Sequence, residues 1–168
     1  MLHAFSRSEG LIGKEGLEIL ADSKVAVFGL GGVGSYVVEA LARAGVGNLI
    51  LVDHDEVAVT NLNRQLVALR STIGRKKVQV AKERIADINE DVKAFSGGSF
   101  RDVTRIADIN EDAVVHTYET FFSAETASLF DFSGYDYIVD AVDTVSAKIL
   151  LIEKAKACNK PVISCMGT

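Results

Sequence analysis

Five groups of residues in this chain have the types and spacing to hold a phosphorylated nucleotide. Gly29-Leu30-Gly31-Gly32-Val33-Gly34 fits G-x-G-x-x-G and follows directly on the apolar run Val25-Ala26-Val27-Phe28. Glycines placed this way permit a tight turn, close backbone approach to a ligand and close helix–sheet packing. The helix that follows offers its positive N-terminus to phosphate. Asp53 stands 19 residues after Gly34, at the end of Asn48-Leu49-Ile50-Leu51-Val52, where a carboxylate can accept both ribose hydroxyl hydrogens. Asp55 is either a neighbour in that role or a support for the loop.

Arg64 and Lys77 lie thirteen residues apart, past that acid. A dinucleotide dehydrogenase has no need of them. Two cations aimed at one triphosphate stabilise the charge that develops as pyrophosphate leaves. Arg75 and Lys76 beside Lys77 leave the register of the second cation open. Asp143, just past Tyr137-Ile138-Val139-Asp140-Ala141-Val142, either holds Mg²⁺, which usually takes one or two carboxylates and keeps several waters, or caps a helix. Asp140 is nearer the strand and reads as structural. The histidines His3, His54 and His116 show no ligand spacing. Cys165 ends an apolar run and reads as a packed thiol rather than a nucleophile.

The elements that must position these residues alternate along the chain. Apolar β-rich runs predict strands at about 24–28, 48–53, 113–118, 136–140 and 161–165. Helical patterns fall at about 8–20, 33–44, 76–88, 123–130 and 144–157. Repeated β-α-β units predict an α/β fold, a doubly wound, mostly parallel sheet of Rossmann-like type with helices on both faces. Ligands of such sheets bind at the carboxyl ends of the strands. Gly29, Asp53 and Asp143 all fall at or just past such ends.

A length of 168 residues predicts one domain, and 48% hydrophobic content is enough to build its core. The net charge of −5 excludes a global attraction to nucleic acid, so an RNA substrate needs a local basic patch or a segment missing from this sequence. Only two cysteines occur, Cys158 and Cys165, without Cys-x-x-Cys spacing. That pattern predicts a reduced, cytoplasmic protein without disulfides or zinc. No run is apolar enough to span a bilayer, and Met1-Leu2-His3-Ala4-Phe5 is no signal peptide.

One feature breaks the alternation. The octapeptide from Arg84 to Asp91 recurs letter for letter from Arg105 to Asp112, an offset of 21 residues. Between the copies lies Val92 to Thr104, with Ser96-Gly97-Gly98-Ser99 as an apparent flexible linker. This reads as a tandem duplication of about 92–112, engineered rather than natural. Either copy can complete the helix begun at Lys76, and the other must loop out, at small entropic cost, or add a short surface helix. A mobile excursion is expected at about 92–104. The chain also stops at Met166-Gly167-Thr168, where a loop at the catalytic edge should begin, so a truncated nucleotide-binding domain is expected.

Taken together, Gly29–Gly34, Asp53-x-Asp55, Asn61-Leu62-Asn63-Arg64-Gln65, Lys77 and Asp143 resemble the adenylating superfamily that includes ubiquitin-activating enzymes and the adenylyltransferases of thiamine and molybdopterin synthesis. Within it the chain is most similar to the tRNA threonylcarbamoyladenosine dehydratases. Arg7-Ser8-Glu9-Gly10-Leu11-Ile12-Gly13, Glu39 to Gly47, Leu69 to Gly74 and Ser164 to Thr168 carry that likeness. The resemblance implies ATP and Mg²⁺ as cofactors. It implies Gly29, Gly31, Gly32, Gly34, Asn61 and Gln65 in the nucleotide site, with Asp53 on ribose and Asp55 near it. It implies Arg64 and Lys77 on phosphates and Asp143 on the metal. It also implies a homodimer in which Arg7 reaches the partner's ATP, and a tRNA substrate. Alternatives remain adenylation of a ubiquitin-like sulfur carrier, with a sulfur-transfer partner protein, and a non-catalytic ATP-binding fragment carrying the duplicated segment.

Overall fold

The computed structural model describes residues 4–88, 92–96 and 113–165. Its elements, in chain order, are α1 (Ser6–Asp22), β1 (Lys24–Phe28), α2 (Gly34–Ala44), β2 (Asn48–Val52), α3 (Lys77–Ile88), β3 (Val92–Ser96), β4 (Ala113–Tyr118), β5 (Tyr137–Asp140), α4 (Val145–Ala157) and β6 (Val162–Ser164). Short 3₁₀ turns lie at Val59–Asn61, Arg70–Thr72, Ala127–Leu129 and Phe132–Gly134.

The six strands form one parallel sheet in the order β3-β4-β2-β1-β5-β6. Parallel sheets bury both faces, which is why these strands read as continuous apolar runs. Alternate residues of β1, β2 and β5 divide between two cores. Val25, Val27, Leu49, Leu51, Val115 and Val139 pack under residues of α2 and α3, such as Val38, Ala42, Val78 and Ile85. Ala26, Phe28, Ile50, Val52 and Ile138 face the other way. They meet Leu151 of α4 and the aromatic residues Phe122, Phe130, Phe132 and Tyr135 of the β4–β5 connection. Phe28 is the hub of that second core. It meets Phe122 and Phe130 edge-on, and Phe132 in a stacked contact 5.9 Å between centroids.

From β1 the chain goes to β2, on to β3 at the edge, back to β4 between β2 and β3, and then crosses to β5 on the other side of β1. The sheet therefore has its switch point between β1 and β5, where open α/β sheets bind ligands. Gly29 lies there, with φ +91°, a conformation that glycine adopts without strain. A Cβ on it would come within 2.6 Å of the carbonyl oxygen of Ala141. At Gly34 a Cβ would meet the carbonyl oxygen of Gly29 at 1.8 Å. The packing of α2 onto the loop requires glycine at that position.

Three expectations are corrected. The predicted helix over 123–130 is a turn followed by one 3₁₀ turn. Thr126 Oγ1 donates to the Phe121 carbonyl and accepts from the Ser123 N–H, so local side-chain bonds compete with a helical ladder. Residues 92–96 are not part of a looped-out linker. They form the edge strand β3, in parallel register with β4 from Val92↔Ala113 to Ser96↔Thr117. The open edge of β4 supplies backbone partners to any extended segment that reaches it. The second octapeptide copy and residues 97–104 lie outside the described residues, as do Met166 to Thr168. Finally, α1 is two helical pieces joined at Gly13, whose φ of 74° and ψ of 171° are not helical. Among the described residues, no helix is long and apolar enough to cross a membrane.

Candidate functional site

A cavity of about 560 Å³ opens at the carboxyl edge of the sheet. Its walls come from four strand ends. The β1 end contributes Phe28, Gly29, Gly31, Gly32 and Val33, and the β2 end contributes Val52, Asp53, His54 and Asp55. The β4 end supplies Thr120, Phe121 and Phe122, and the β5 end supplies Ala141, Val142 and Asp143. Asn61, Arg64, Gln65 and Lys77 close the remaining side.

Asp53 is held in place by backbone. Its Oδ2 accepts from the Leu30 N–H at 2.6 Å, and its Oδ1 accepts from the Asp55 N–H at 2.8 Å. The end of β2 is thereby tied to the glycine loop, and each oxygen keeps a lone pair for a ligand hydroxyl. Asp55 in turn receives Lys77, whose Nζ donates to its Oδ2 at 2.8 Å. The Lys77 N–H donates to the Asp55 carbonyl at 3.1 Å. Burial pushes the Asp55 carboxyl up, but the Lys77 bond and charge, with smaller pulls from His54 and Lys76, hold it below its ordinary value.

The sequence leaves three neighbouring cations open, and the structure separates them. Arg75 pairs with Glu83, Lys76 with Glu56 at 3.2 Å, and Lys77 with Asp55. Lys77 alone of the three lines the cavity, with its side chain 4% exposed. Arg64 behaves differently. It is exposed, and its Nη1 donates to the Thr60 carbonyl and to Asn63 Oδ1, both at 3.0 Å. Its stem crosses Gly32, where a Cβ would meet Arg64 Cγ at 3.4 Å.

Asn61 shapes this segment, since its Oδ1 accepts from the Ala58 N–H at 2.9 Å. Gln65 is buried, and its Oε1 has no hydrogen-bond partner among the described residues. Asp143 sits exposed on the rim, with Thr144 Oγ1 3.3 Å from its Oδ1. Two candidates are not in the lining. Gly34 packs the helix against the loop, and Arg7 is exposed on the first turn of α1.

Sequence reasoning missed the wall opposite the glycines. Phe121 is 42% exposed and meets the His54 ring edge-on at 5.2 Å between centroids. Phe122 is buried against Phe28. The available signal was the position of Thr120-Phe121-Phe122 two residues past a predicted strand end.

This arrangement can hold a sugar hydroxyl at Asp53, a flat apolar group by Phe121 and Val52, and anionic groups by the glycine loop, Arg64 and Lys77. A profile of the ThiF family matches residues 5–97. The chain is 47% identical to tRNA threonylcarbamoyladenosine dehydratase of Bacillus subtilis (strain 168), over 99% of its own length and 58% of that protein's. It is 39% identical to the Haemophilus influenzae protein of the same name, over 91% of this chain and 51% of that one. The crystal structure of E. coli tRNA N6-threonylcarbamoyladenosine dehydratase in complex with ATP superposes with a TM-score of 0.80 at 34% identity, over 96% of this chain and 58% of that one. The chain thus spans somewhat more than half the length of these relatives.

Proposed function

The chain belongs to the ThiF family, and from that premise we propose that it binds ATP and serves adenylation of a carboxylate. In a protein of the relatives' full length, the carboxylate is that of threonylcarbamoyladenosine in tRNA. The observation that carries the reading is the convergence of Gly29–Gly32, Asp53, Lys77 and Asp143 on one cavity from separate segments of the chain. The name of the B. subtilis relative supports that choice of acceptor, and the ATP complex of the E. coli relative supports the nucleotide.

The residues divide the work by position. Asp53 accepts the ribose hydroxyl hydrogens with the lone pairs its backbone bonds leave open. That places the nucleobase toward Val52 and Phe121 and the phosphates toward the start of α2. Attack of the carboxylate oxygen on the α-phosphorus breaks the bond to the bridging oxygen and releases pyrophosphate. Negative charge moves onto the leaving group, where Lys77 and Arg64 stabilise it. The modified side chain then closes on its activated carbonyl, AMP departs, and the net change is loss of water. Lys77 acts from a buried position at the cavity wall, where screening by water is weaker than at the surface.

Asp143 fits a Mg²⁺ ion: it is a rim carboxylate with room for waters and phosphate oxygens. Bound there, the ion would offset phosphate charge. The Asp53–His54–Asp55 cluster, whose ligand atoms lie within 4.8 Å of one another, fits less well, because Asp53 is engaged by backbone N–H groups and Asp55 by Lys77. A homodimer with Arg7 at the partner's nucleotide belongs to the same proposal. It is supported by the exposure of Arg7, Leu11 and Ile12 on α1.

Isothermal calorimetry with ATP–Mg²⁺ and with NAD is the first test. ATP is expected to bind and NAD is not; tighter binding of NAD overturns the reading. ATP–pyrophosphate exchange then identifies the acceptor. Stimulation by tRNA carrying threonylcarbamoyladenosine is expected, and stimulation by a sulfur-carrier protein with a Gly-Gly end instead would move the assignment to that class.

A further inference from the structure

We propose that Asp55 competes with the nucleotide's phosphates for the Lys77 ammonium, so that Lys77 reaches phosphate only by leaving or sharing this carboxylate. The inference deepens the reading of the cavity as an ATP site and rests on it.

The competition follows from how the pair is built. The Lys77 side chain is 4% exposed, so its ammonium cannot simply swing into water. One of its three donors points at Asp55 Oδ2, 2.8 Å away. Asp55 cannot easily move to follow it. Its N–H is bound to Asp53 Oδ1, its carbonyl receives the Lys77 N–H, and its Oδ1 lies 3.2 Å from His54 Nε2. Both side chains line the cavity. A triphosphate placed there therefore meets a fixed negative charge and a cation already engaged. Asp55 has the opposite effect to that expected of a ribose-binding neighbour: it opposes phosphate binding in the ground state. The same competition keeps Lys77 from spending its full strength on bound ATP. The ammonium is then available when charge builds on departing pyrophosphate, where stabilisation counts toward rate.

The test is the isosteric variant Asp55→Asn in this chain, with affinities for adenosine, AMP and ATP measured by calorimetry with and without Mg²⁺. Thermal melting checks that the variant is folded, and Asp55→Ser serves if it is not. ATP is expected to bind roughly two- to fivefold more tightly than to the parent chain, the range for release of a partly exposed ion pair. AMP should gain less, and adenosine should be unchanged. The gain should shrink when Mg²⁺ covers phosphate charge, and shrink again in a Lys77→Met background. A residue that only braces the loop cannot tighten binding when it is weakened. Unchanged or weaker ATP binding by both variants, in a parent chain that does bind ATP, overturns the competition and leaves the ATP reading intact. Weakening seen only with Mg²⁺ makes Asp55 a metal ligand and overturns it too. A folded parent chain that binds no ATP overturns both.

Discussion

Two carboxylate–lysine pairs sit at the carboxyl edge of the sheet, Asp55 with Lys77 just past β2 and Asp140 with Lys148 at the end of β5. In each, the acid lies at or just past a strand end and the lysine comes from the first turn of a later helix. Their surroundings differ. Asp140 is fully buried, and Lys148 is 9% exposed. Lys148 Nζ lies 3.2 Å from both Asp140 oxygens and donates to the Cys165 carbonyl at 2.9 Å. Ser164 Oγ and the Val142 N–H complete the Asp140 carboxylate. Every strong direction of this pair is spent inside the protein, where it joins β5, β6 and α4. The Asp55–Lys77 pair has one bond between its side chains and a cavity beside it. Saturation makes the first pair a structural joint. The unspent donors of the second make it chemistry.

The sharpest way to break this contrast is to remove one lysine from each pair. Lys148→Met should cost about 3–5 kcal/mol of stability, because it strands a buried carboxylate. Chemical denaturation reads that loss directly. The ATP affinity of the molecules that remain folded should be unchanged. A loss below about 1 kcal/mol, in the range of exposed pairs, would mean that solvent reaches Asp140 and that the two pairs are not different in kind.

Arg64 extends the comparison to a cation with no carboxylate partner among the described residues, bound only to its own loop. Its worth should appear in the transition state. In a full-length relative of this chain, Arg64→Ala should lower turnover by about 10²-fold or more. If only the Michaelis constant changes, Arg64 binds substrate and leaves the chemical step to Lys77.

These differences show what the sequence could and could not carry. Gly29 to Gly34 and Asp53 are legible because each serves one local purpose at a fixed distance from a strand end, whereas Lys77 is told from Arg75 and Lys76 only by the partners the fold gives them. The parallel sheet is legible because both its faces are buried, which leaves unbroken apolar runs. Phe121 enters the cavity through a different cause. It is there because β4 lies beside β2, and the sequence states no such neighbour. Asp140 and Lys148 are eight residues apart, across a strand–helix turn, and nothing in that spacing says they are sealed. β3 was hidden by composition: Ser96 reads as the first residue of a linker, yet its backbone pairs with Thr117.

Lys77→Met is the counterpart of the Lys148 variant and should reverse its profile. The stability change should stay within about 1 kcal/mol, since Asp55 keeps access to water when its partner goes. ATP affinity should fall by about 1.5 kcal/mol, the low end of the range for a hydrogen bond to a charged group, because Asp55 holds part of the ammonium back. Calorimetry beside a denaturation curve measures both. A variant that is severely destabilised but binds ATP normally would make Lys77 a second structural joint.

The smallest effect is the pH dependence of the open pair. The folded Asp55 carboxyl lies below its ordinary value, with Lys77 as the main downward influence against burial. A carboxyl lowered by folding adds stability above its unfolded pKa and loses it as pH falls through the folded one. For aspartate the unfolded value is about 3.9. The stability difference between the parent chain and Asp55→Asn should therefore be constant from about pH 7 to 5 and shrink below about pH 4. Its size is held to a fraction of about 1 kcal/mol by the exposure of Asp55. Urea unfolding of both proteins across that range is the measurement. A difference that instead grows as pH falls would place the folded carboxyl above its ordinary value. Burial would then outweigh the Lys77 contact, and the pair would not be the net attraction that the competition for Lys77 requires.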